Sequence, residues 1–429
     1  MEQGTPGTPA IAPPSGPAAT PRRWWLLPVA LLLAAGLPLG IDSAVTLTVL
    51  AQAATLAVVM LSFNLLYGQT GLMSFGHAVY AGLGGLVAAH AMRLAVAGGW
   101  GLPLPLVPLA GGLGGLAAAL VFGHVSTRLA GTGFAMITLA IGELMVAAAA
   151  VLPGFFGGEA GVRVDRTLLP AGIGWGDWSV DFGAQRAVVS LIAVWSVLCG
   201  AALRIVARSP LGLLALAVRD NPDRVAMLGS DPAAVRYRMM LIAGFFAGIG
   251  GALGVLHFEI ANAESLGPAR SGAILLFTFL GGSGSFWGPV AGAVLHALAL
   301  TILSEWTRAW LLYLGLFFLV MVLVAPRGLA GVAGDLRNGR CRVLRQPGRG
   351  PAIARGLAIL IALTAAVVMI EMAWRLRFDQ GAPLVLAGWA IASDAVLSWV
   401  LAAGVGALAV LGAVAPGGPR ARTASGERP

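Results

Sequence analysis

Polar residues interrupt the long apolar stretches of this 429-residue chain at a few positions, where transport or catalytic chemistry could occur. Glu143 lies inside an apolar run. A charge there is costly and indicates a functional site, unless it lies near the outer end of the span or pairs with a polar neighbour. The segment from Asn64 to His77 combines three glycines with polar side chains. Backbone freed from a helix at membrane depth is tolerated only where protein buries it or where it lines a wet cavity. This segment therefore predicts either a broken helix at a transport site or a turn between helices at the membrane face.

A second glycine-rich segment, Leu280–Gly292, predicts either a similar break or a tight cytoplasmic turn. Within it, Ser283 stands in a sequence that resembles the nucleophile motif of intramembrane serine proteases, with His296 as a candidate base. The spacing of these two residues is wrong for that class, so a membrane-embedded serine hydrolase is the weaker alternative. The two cysteines and the acidic residues show no metal-ligand spacing, and we predict no catalytic residue, metal or cofactor.

The segment Ser209–Arg238 carries the signals of a short, separately capped helix. Asn221 fits the N-cap, Pro222 the first helical position, and Gly229 the position just past the end. An Asp-Pro pair two residues later repeats the start signal for the next helix. A folded helix in a loop between membrane spans is more often a docking device than a linker, so we expect another protein to bind here.

The composition predicts an all-α polytopic membrane protein. Hydrophobic residues make up 58% of the chain and charged residues 10%, whereas a soluble domain has about 25% charged residues. The net charge is +9, and the arginines that supply it flank apolar runs. This placement indicates the positive-inside bias and no nucleic-acid partner. The chain contains no lysine, so it cannot form a Walker A loop, and any ATP would be bound by another subunit.

We expect about ten core transmembrane helices, some of them broken or short, and about two more near the C-terminus. The predicted spans cover about residues 24–41, 45–66, 72–92, 103–129, 132–152, 187–207, 238–258, 268–282, 288–304 and 309–325, followed by 353–374 and 384–414. The arginines place the N-terminus and the loops 209–238 and 327–355 in the cytoplasm, and they place the loop 153–186 outside.

Five segments, in order, resemble the LivM-type permease subunit of ABC importers for branched-chain amino acids. They are SFNLLYGQTGLMSFGHAVYAGLGG at 62–85, RLAGTGFAMITLAIGE at 128–143, the loop 209–238, GGSGSFWGPVAGA at 281–293 and LVMVLVAPRGLAG at 319–331. The resemblance extends from about residue 24 to residue 334. The loop 209–238 departs from the family in having a more proline-rich helix start.

The resemblance implies a transport subunit of the bacterial inner membrane, not an enzyme, with a cytoplasmic N-terminus. Its implied partners are a second homologous permease subunit, two ABC ATPase subunits, a periplasmic substrate-binding protein and the lipid bilayer. Its implied substrates are branched-chain amino acids or a related small polar solute. The residues expected to couple to the ATPases are Arg219, Asp220, Asn221, Pro222, Asp223, Arg224 and Gly229. Those expected along or near the translocation path are Asn64, Gln69, Ser74, His77 and Glu143.

We therefore divide the chain into four parts. Residues 1–21 are predicted to be a disordered tail, 22–334 the permease domain, 335–415 an extension with an arginine-rich loop and two apolar spans, and 416–429 a second disordered tail. The alternative within transport is an ion-coupled secondary transporter. That class would require paired acids or an Asp/His relay at mid-membrane, and only Glu143 and Asp394 qualify.

Overall fold

Long apolar α-helices dominate the described part of the chain. The computed structural model describes residues 26–99, 102–169, 182–306 and 395–414, with short segments between 174 and 179 and between 312 and 391. The helices are α1 Leu26–Gly36, α2 Ala44–Thr70, α3 His77–Gly98, α4 Val107–Ser126, α5 Thr132–Val151, α6 Pro153–Phe156, α7 Gln185–Ala207, α8 Pro210–Asp220, α9 Pro222–Met227, α10 Pro232–Phe258, α11 Pro268–Gly281, α12 Gly288–Leu298, α13 Ser304–Trp306 and α14 Val396–Val414. The strands are β1 Val162–Arg163, β2 Gly174–Trp175, β3 Trp178–Ser179, β4 Ile260–Ala261, β5 Leu384–Leu386 and β6 Trp389–Ile391.

Within the described residues, six helical segments are long and apolar enough to cross a membrane. They are α2, α3, α4 with the 3₁₀ turn before it, α5, α7 and α10. Shorter apolar helices stand where short spans were expected, at α1, α11 and α12. The predicted class, an all-α polytopic membrane protein, is confirmed.

One of the two predicted C-terminal runs differs from the structure at its start. The run 384–414 is not one continuous span, because β5 and β6 pair as a hairpin with Leu384 opposite Ile391, and α14 begins only at Val396. The predicted spans 309–325 and 353–374 and the residue Asp394 lie largely or wholly outside the described residues.

Helix α10 lies at the centre of the bundle and packs against α2, α3 and α4. In the most apolar 18-residue stretch of α10, 72% is buried inside the protein. The corresponding stretch of α5 is only 28% buried, so α5 lies at the edge of the bundle. Glycines make the central crossing possible. A Cβ added to Gly248 would lie 2.2 Å from the carbonyl oxygen of Gly111, and one added to Gly115 would lie 2.2 Å from that of Gly244. These small-residue pairs, spaced as G-x-x-x-G in both helices, let the two backbones touch.

We predict that Gly248→Ala destabilises the protein and that Gly254→Ala does not. Both glycines lie in α10, but a Cβ at Gly254 meets no atom within 4 Å. The methyl group at position 248 must push two backbones apart, at a cost of about 1–3 kcal/mol. At position 254 the change removes a poor helix former and is neutral or stabilising by up to about 1 kcal/mol. Thermal unfolding of both variants in the same detergent measures the difference, and equal melting temperatures would contradict the packing described.

Candidate functional site

Two short helices, α8 and α9, form a capped unit between α7 and α10. The Ser209 hydroxyl accepts the backbone N–H of Gly212 at 3.3 Å and starts α8. Asn221 Oδ1 accepts the N–H of Arg224 at 2.9 Å and starts α9. Gly229 follows α9 with φ of 84°, a left-handed conformation that favours glycine. The predicted caps of α9 are therefore present, whereas α8 was not anticipated. α10 begins at Pro232 with Asp231 as its N-cap, as the Asp-Pro pair predicted, and so starts ahead of the predicted membrane span 238–258.

This unit has one face packed on the bundle and another exposed. Ala215 and Val218 of α8 and Val225 of α9 are buried. On the opposite side, Met227 is 87% and Leu228 80% exposed. The charged residues Asp220, Asp223 and Arg224 are also exposed. Sequence reasoning identified the charges and missed the two apolar residues, although an Ala-Met-Leu-Gly run in a charged loop was a signal for them. We call Met227 and Leu228 the apolar tip.

Arg219 differs from its predicted companions because its side chain turns towards the bundle. Its Nη1 donates a hydrogen bond of 2.6 Å to the carbonyl oxygen of Gly68 in α2. Its aliphatic part runs beside Gly71, where an added Cβ would lie 3.0 Å from the arginine Cγ. Its Nε also lies 3.7 Å from the Asp220 carboxylate. Arg219 thus joins the end of α8 to the end of α2.

The first glycine-rich segment breaks the helix later than expected. α2 continues through Asn64, Gly68 and Gln69 and ends at Thr70, because Gly71 adopts φ of 72°. The non-helical stretch is therefore residues 71–76, and α3 begins at His77.

Protein encloses much of this break, since Leu72, Ser74 and Gly76 are buried and the residues beside them are partly exposed. Oγ of Ser62 lies 2.9 Å from Nε2 of His77, and both residues are buried. The N–H of Phe75 donates to Thr138 Oγ1 of α5 at 3.1 Å, and the N–H of Ala78 donates to Ser271 Oγ of α11 at 3.1 Å. Ser74 is also fully buried. Two backbone N–H groups at the break are therefore satisfied by side chains of neighbouring helices.

A cavity of about 370 Å³ lies beside Arg219, between α2, α7, α8 and the turn before α12. Asn64 and Gln69 line it from α2, and Ser283 and Ser285 line it from the turn. Nδ2 of Asn64 donates to the carbonyl oxygen of Ser285 at 3.4 Å. Two of the predicted path residues are therefore brought together here, and the two glycine-rich segments meet.

The second glycine-rich segment is the tight turn of a helical hairpin. A Cβ on Gly281 would lie 1.9 Å from the carbonyl oxygen of Gly288, and one on Gly292 would lie 2.1 Å from that of Phe277. Only glycine allows α11 and α12 to approach so closely. The ring of His296 is buried and stacks on Phe277 with centroids 4.2 Å apart. His296 therefore packs inside this hairpin, and no hydrogen bond joins it to Ser283 in the described structure.

Glu143 lies apart from the other predicted path residues. It is exposed near the middle of α5, on a helix face that also carries exposed Met136, Leu139 and Val146. Described residues of this chain leave that face uncovered. The predicted path residues therefore fall into three places: the cavity, the buried break and the α5 face.

The cavity, the α8–α9 unit and the break all lie within the part of the chain that matches a known family. The family described as the permease component of the branched-chain amino acid transport system matches residues 45–325. The chain belongs to this family. The permease match extends from α2 through α13 and confirms the resemblance stated from the sequence.

Two curated relatives are similar to this permease. The high-affinity branched-chain amino acid transport system permease protein LivM of Salmonella typhimurium is 26% identical over 285 residues, which cover 63% of this chain and 66% of the relative. The protein of the same name from Escherichia coli strain K12 is 25% identical over 303 residues, which cover 66% and 70%. The chain thus spans about two thirds of the length of these relatives. No solved structure matches it.

At the opposite end of the permease, Arg166 braces the loop between α6 and α7. Its side chain donates to the carbonyl oxygens of Phe182 at 3.2 Å and Leu256 at 3.2 Å, and it lies 3.2 Å from the Glu259 carboxylate. Strands β1 and β4 pair beside it. The side chain and the backbone N–H of Thr167 both donate hydrogen bonds to the neighbouring Asp165 carboxylate. These bonds, the side-chain bond most strongly, lower the pKa of Asp165. These contacts of Arg166 hold the C-terminal end of α10 against the loop between α6 and α7, so that the two form one surface.

Proposed function

We propose that this chain is the permease subunit of an ABC importer for branched-chain amino acids or a related small polar solute, in a bacterial inner membrane. The observation that carries the proposal is the α8–α9 unit: it is capped at each end, packed on one side and exposes an apolar tip on the other. The family match and the names of the curated relatives supply the class of transport system. The lack of lysine requires a separate subunit to bind ATP in a Walker A loop.

We call α8 and α9 together the coupling unit. In the importer, two ATPase subunits bind a pair of permease chains, one at the coupling unit of each chain. The apolar tip of Met227 and Leu228 fills a groove on the ATPase, and Asp223 and Arg224 set the orientation. A few buried apolar anchors surrounded by charges supply most of the free energy of such interfaces. Movement of the unit reaches the bundle through Arg219 and its hydrogen bond to Gly68 of α2.

The exposed face of α5 packs against a second, homologous permease subunit, and the translocation path runs between them. A carboxylate near the middle of a span is costly against lipid, so Glu143 requires a wet or protein environment. The surface braced by Arg166 lies on the periplasmic side and receives the substrate-binding protein. In this orientation the N-terminus, the cavity and the coupling unit are cytoplasmic.

Arg219→Gln is expected to weaken coupling without preventing ATPase binding. Glutamine removes the charge-assisted hydrogen bond to Gly68 but leaves the apolar tip intact. In proteoliposomes we expect ATP hydrolysis to continue while the number of solute molecules imported per ATP falls about tenfold. Arg128→Gln, an exposed arginine on the same side of the membrane that hydrogen-bonds only His124 among the described residues, is the matched control and should be unchanged. An unaltered ratio in Arg219→Gln would contradict the role of this contact.

Purification of the chain from native membranes in mild detergent tests the proposed function. Mass spectrometry should identify two kinds of membrane-associated partner, namely nucleotide-binding ATPase chains and a second permease of the same family. Recovery of the chain without any nucleotide-binding protein in several detergents would contradict the proposal.

A further inference from the structure

A second cavity, of about 430 Å³, lies at the opposite end of the bundle from the cavity beside Arg219. We propose that it binds the head group of one phospholipid that carries both a phosphate and an ammonium group, as phosphatidylethanolamine does. The last turns of α3 form one wall, and the loop between α6 and α7 forms the other. The site itself rests on this lining, and only its assignment to the outer leaflet rests on the proposed function.

Two arginines from separate elements line this cavity. Arg93 comes from α3 and Arg163 from β1, and both are exposed. Neither forms an ion pair or a side-chain hydrogen bond with any residue that the structure describes. Guanidinium groups with free N–H donors bind a phosphate through charge-assisted and often bidentate hydrogen bonds. The pair of arginines therefore favours a ligand with a phosphate.

The same cavity also contains one carboxylate. Asp165 lines it two positions after Arg163, and the extended chain at these residues places both side chains on the same side. Oδ1 of Asp165 accepts hydrogen bonds from the N–H of Thr167 at 2.8 Å and from its Oγ1 at 2.6 Å. Among the described residues, none donates to Oδ2. This carboxylate repels a simple anion, whereas it attracts an ammonium that stands next to a phosphate.

Arg93 lies at a depth from which its side chain reaches the head groups of a membrane. It stands five residues before the end of α3, about 8 Å from that end at the rise of an α-helix. An arginine in this position keeps its aliphatic part along the apolar surface and extends its guanidinium to the interface. The ligand that meets it there is therefore a group of the phospholipid layer.

The rest of the lining is mostly apolar and continues onto the exposed surface of α3. Val96 and Leu168 line the cavity and are exposed. Leu94, the neighbour of Arg93, is 63% exposed on the same helix. Acyl chains can therefore lie along α3 while the head group enters the cavity. A soluble protein that paired with the three charges would leave this apolar flank uncovered, so the lining favours a lipid.

Native mass spectrometry of the purified full-length chain, stripped of lipid and titrated with dioctanoyl lipids in detergent, tests the proposal. We expect one molecule of phosphatidylethanolamine to bind at least about tenfold more tightly than phosphatidylglycerol, which has a phosphate and no ammonium. Arg93→Gln and Arg163→Gln should each weaken that binding about tenfold. Asp165→Asn should bind the two lipids equally well. Arg186→Gln changes an arginine that already pairs with Asp42, and it is the matched control.

Two further measurements separate the other occupants from a lipid. Val96→Trp fills the cavity from α3 and should abolish binding, which keeps the test decisive if an arginine variant misfolds. Soluble phosphoethanolamine, which has the same charges and no acyl chain, should compete at least about tenfold less well than the lipid. Equal binding of the two lipids by the unchanged protein, an unaltered preference in Asp165→Asn, or equal competition by phosphoethanolamine would each overturn the proposal.

A photo-crosslinking amino acid at position 96 in living cells decides between a lipid and a protein partner. We expect adducts with phosphatidylethanolamine, whereas an adduct with a protein of the periplasm would overturn the proposal in favour of a docking surface. The lipid titration uses the chain alone, without ATPase or binding protein. Its failure is therefore distinct from a failure to recover ATPase partners.

Discussion

Replacing Met227 and Leu228 together by aspartate is expected to prevent ATPase subunits from binding while the chain still folds and inserts. These side chains are 87% and 80% exposed, so neither contributes to packing in the described structure. Burial of an apolar side chain of this size in an interface contributes about 1.5–3 kcal/mol. Losing both weakens binding by about two to four orders of magnitude, before any cost of burying the new charges. Copurification of tagged variants from membranes measures the effect.

Leu168→Asp is the matched control for this experiment. Leu168 is 63% exposed and lies in the loop between α6 and α7, near the opposite end of the bundle. The variant should recover the ATPase subunits as the unchanged protein does. If the double aspartate variant also recovered them in full, the apolar tip would not be the docking anchor.

Replacing Glu143 by leucine is expected to abolish transport in a complex that still assembles. A carboxylate near the middle of a span costs about 2.5–3.5 kcal/mol when it faces apolar surroundings. Leucine removes that cost, so the chain itself should be at least as stable. The same change removes the only charge from the exposed α5 face that carries Met136, Leu139 and Val146, and with it the group that, in the proposed complex, keeps the path between two subunits wet. We expect uptake of radiolabelled leucine by proteoliposomes to fall at least about tenfold.

Glu159→Leu provides the comparison for Glu143. Glu159 is exposed in a short 3₁₀ turn outside the membrane-spanning helices, so it carries the same charge without a membrane position. Its uptake should match that of the unchanged protein. Normal uptake by the Glu143→Leu complex would place the translocation path away from this face of α5.

Local sequence signals predicted the features that short-range contacts determine. Asn221, Pro222 and Gly229 mark the ends of α9 because caps depend on neighbouring backbone groups. We predicted that the helix ends near residue 66, before Gly68, because glycine is a poor helix former, whereas α2 continues to Thr70. A glycine inside a helix costs only about 1 kcal/mol, which tertiary packing offsets, and the backbone leaves the helix at Gly71 instead.

Features that depend on distant residues could not be read from the sequence. Asn64 and Ser285 meet across 221 positions of the chain, so nothing local indicated that the two glycine-rich segments share a cavity. Val225 is buried and Met227 exposed, although both are apolar and only two residues apart. Their difference arises from how α9 packs on the bundle. We predicted that Arg219 faces a partner protein, but its side chain turns towards the bundle. The hydrogen bond to Gly68 of α2 that holds it there joins residues far apart in the sequence, so no local signal indicated it.

A photo-crosslinking amino acid placed at position 228 in living cells tests the central claim most directly. We predict a covalent adduct with a nucleotide-binding ATPase chain at position 228 and none with that chain when the same amino acid replaces Leu168. This result would establish the partner and the side of the membrane on which the coupling unit lies. Adducts at position 228 that contain only lipid, or only proteins of the opposite side, would contradict the claim that α8 and α9 couple this permease to an ATPase.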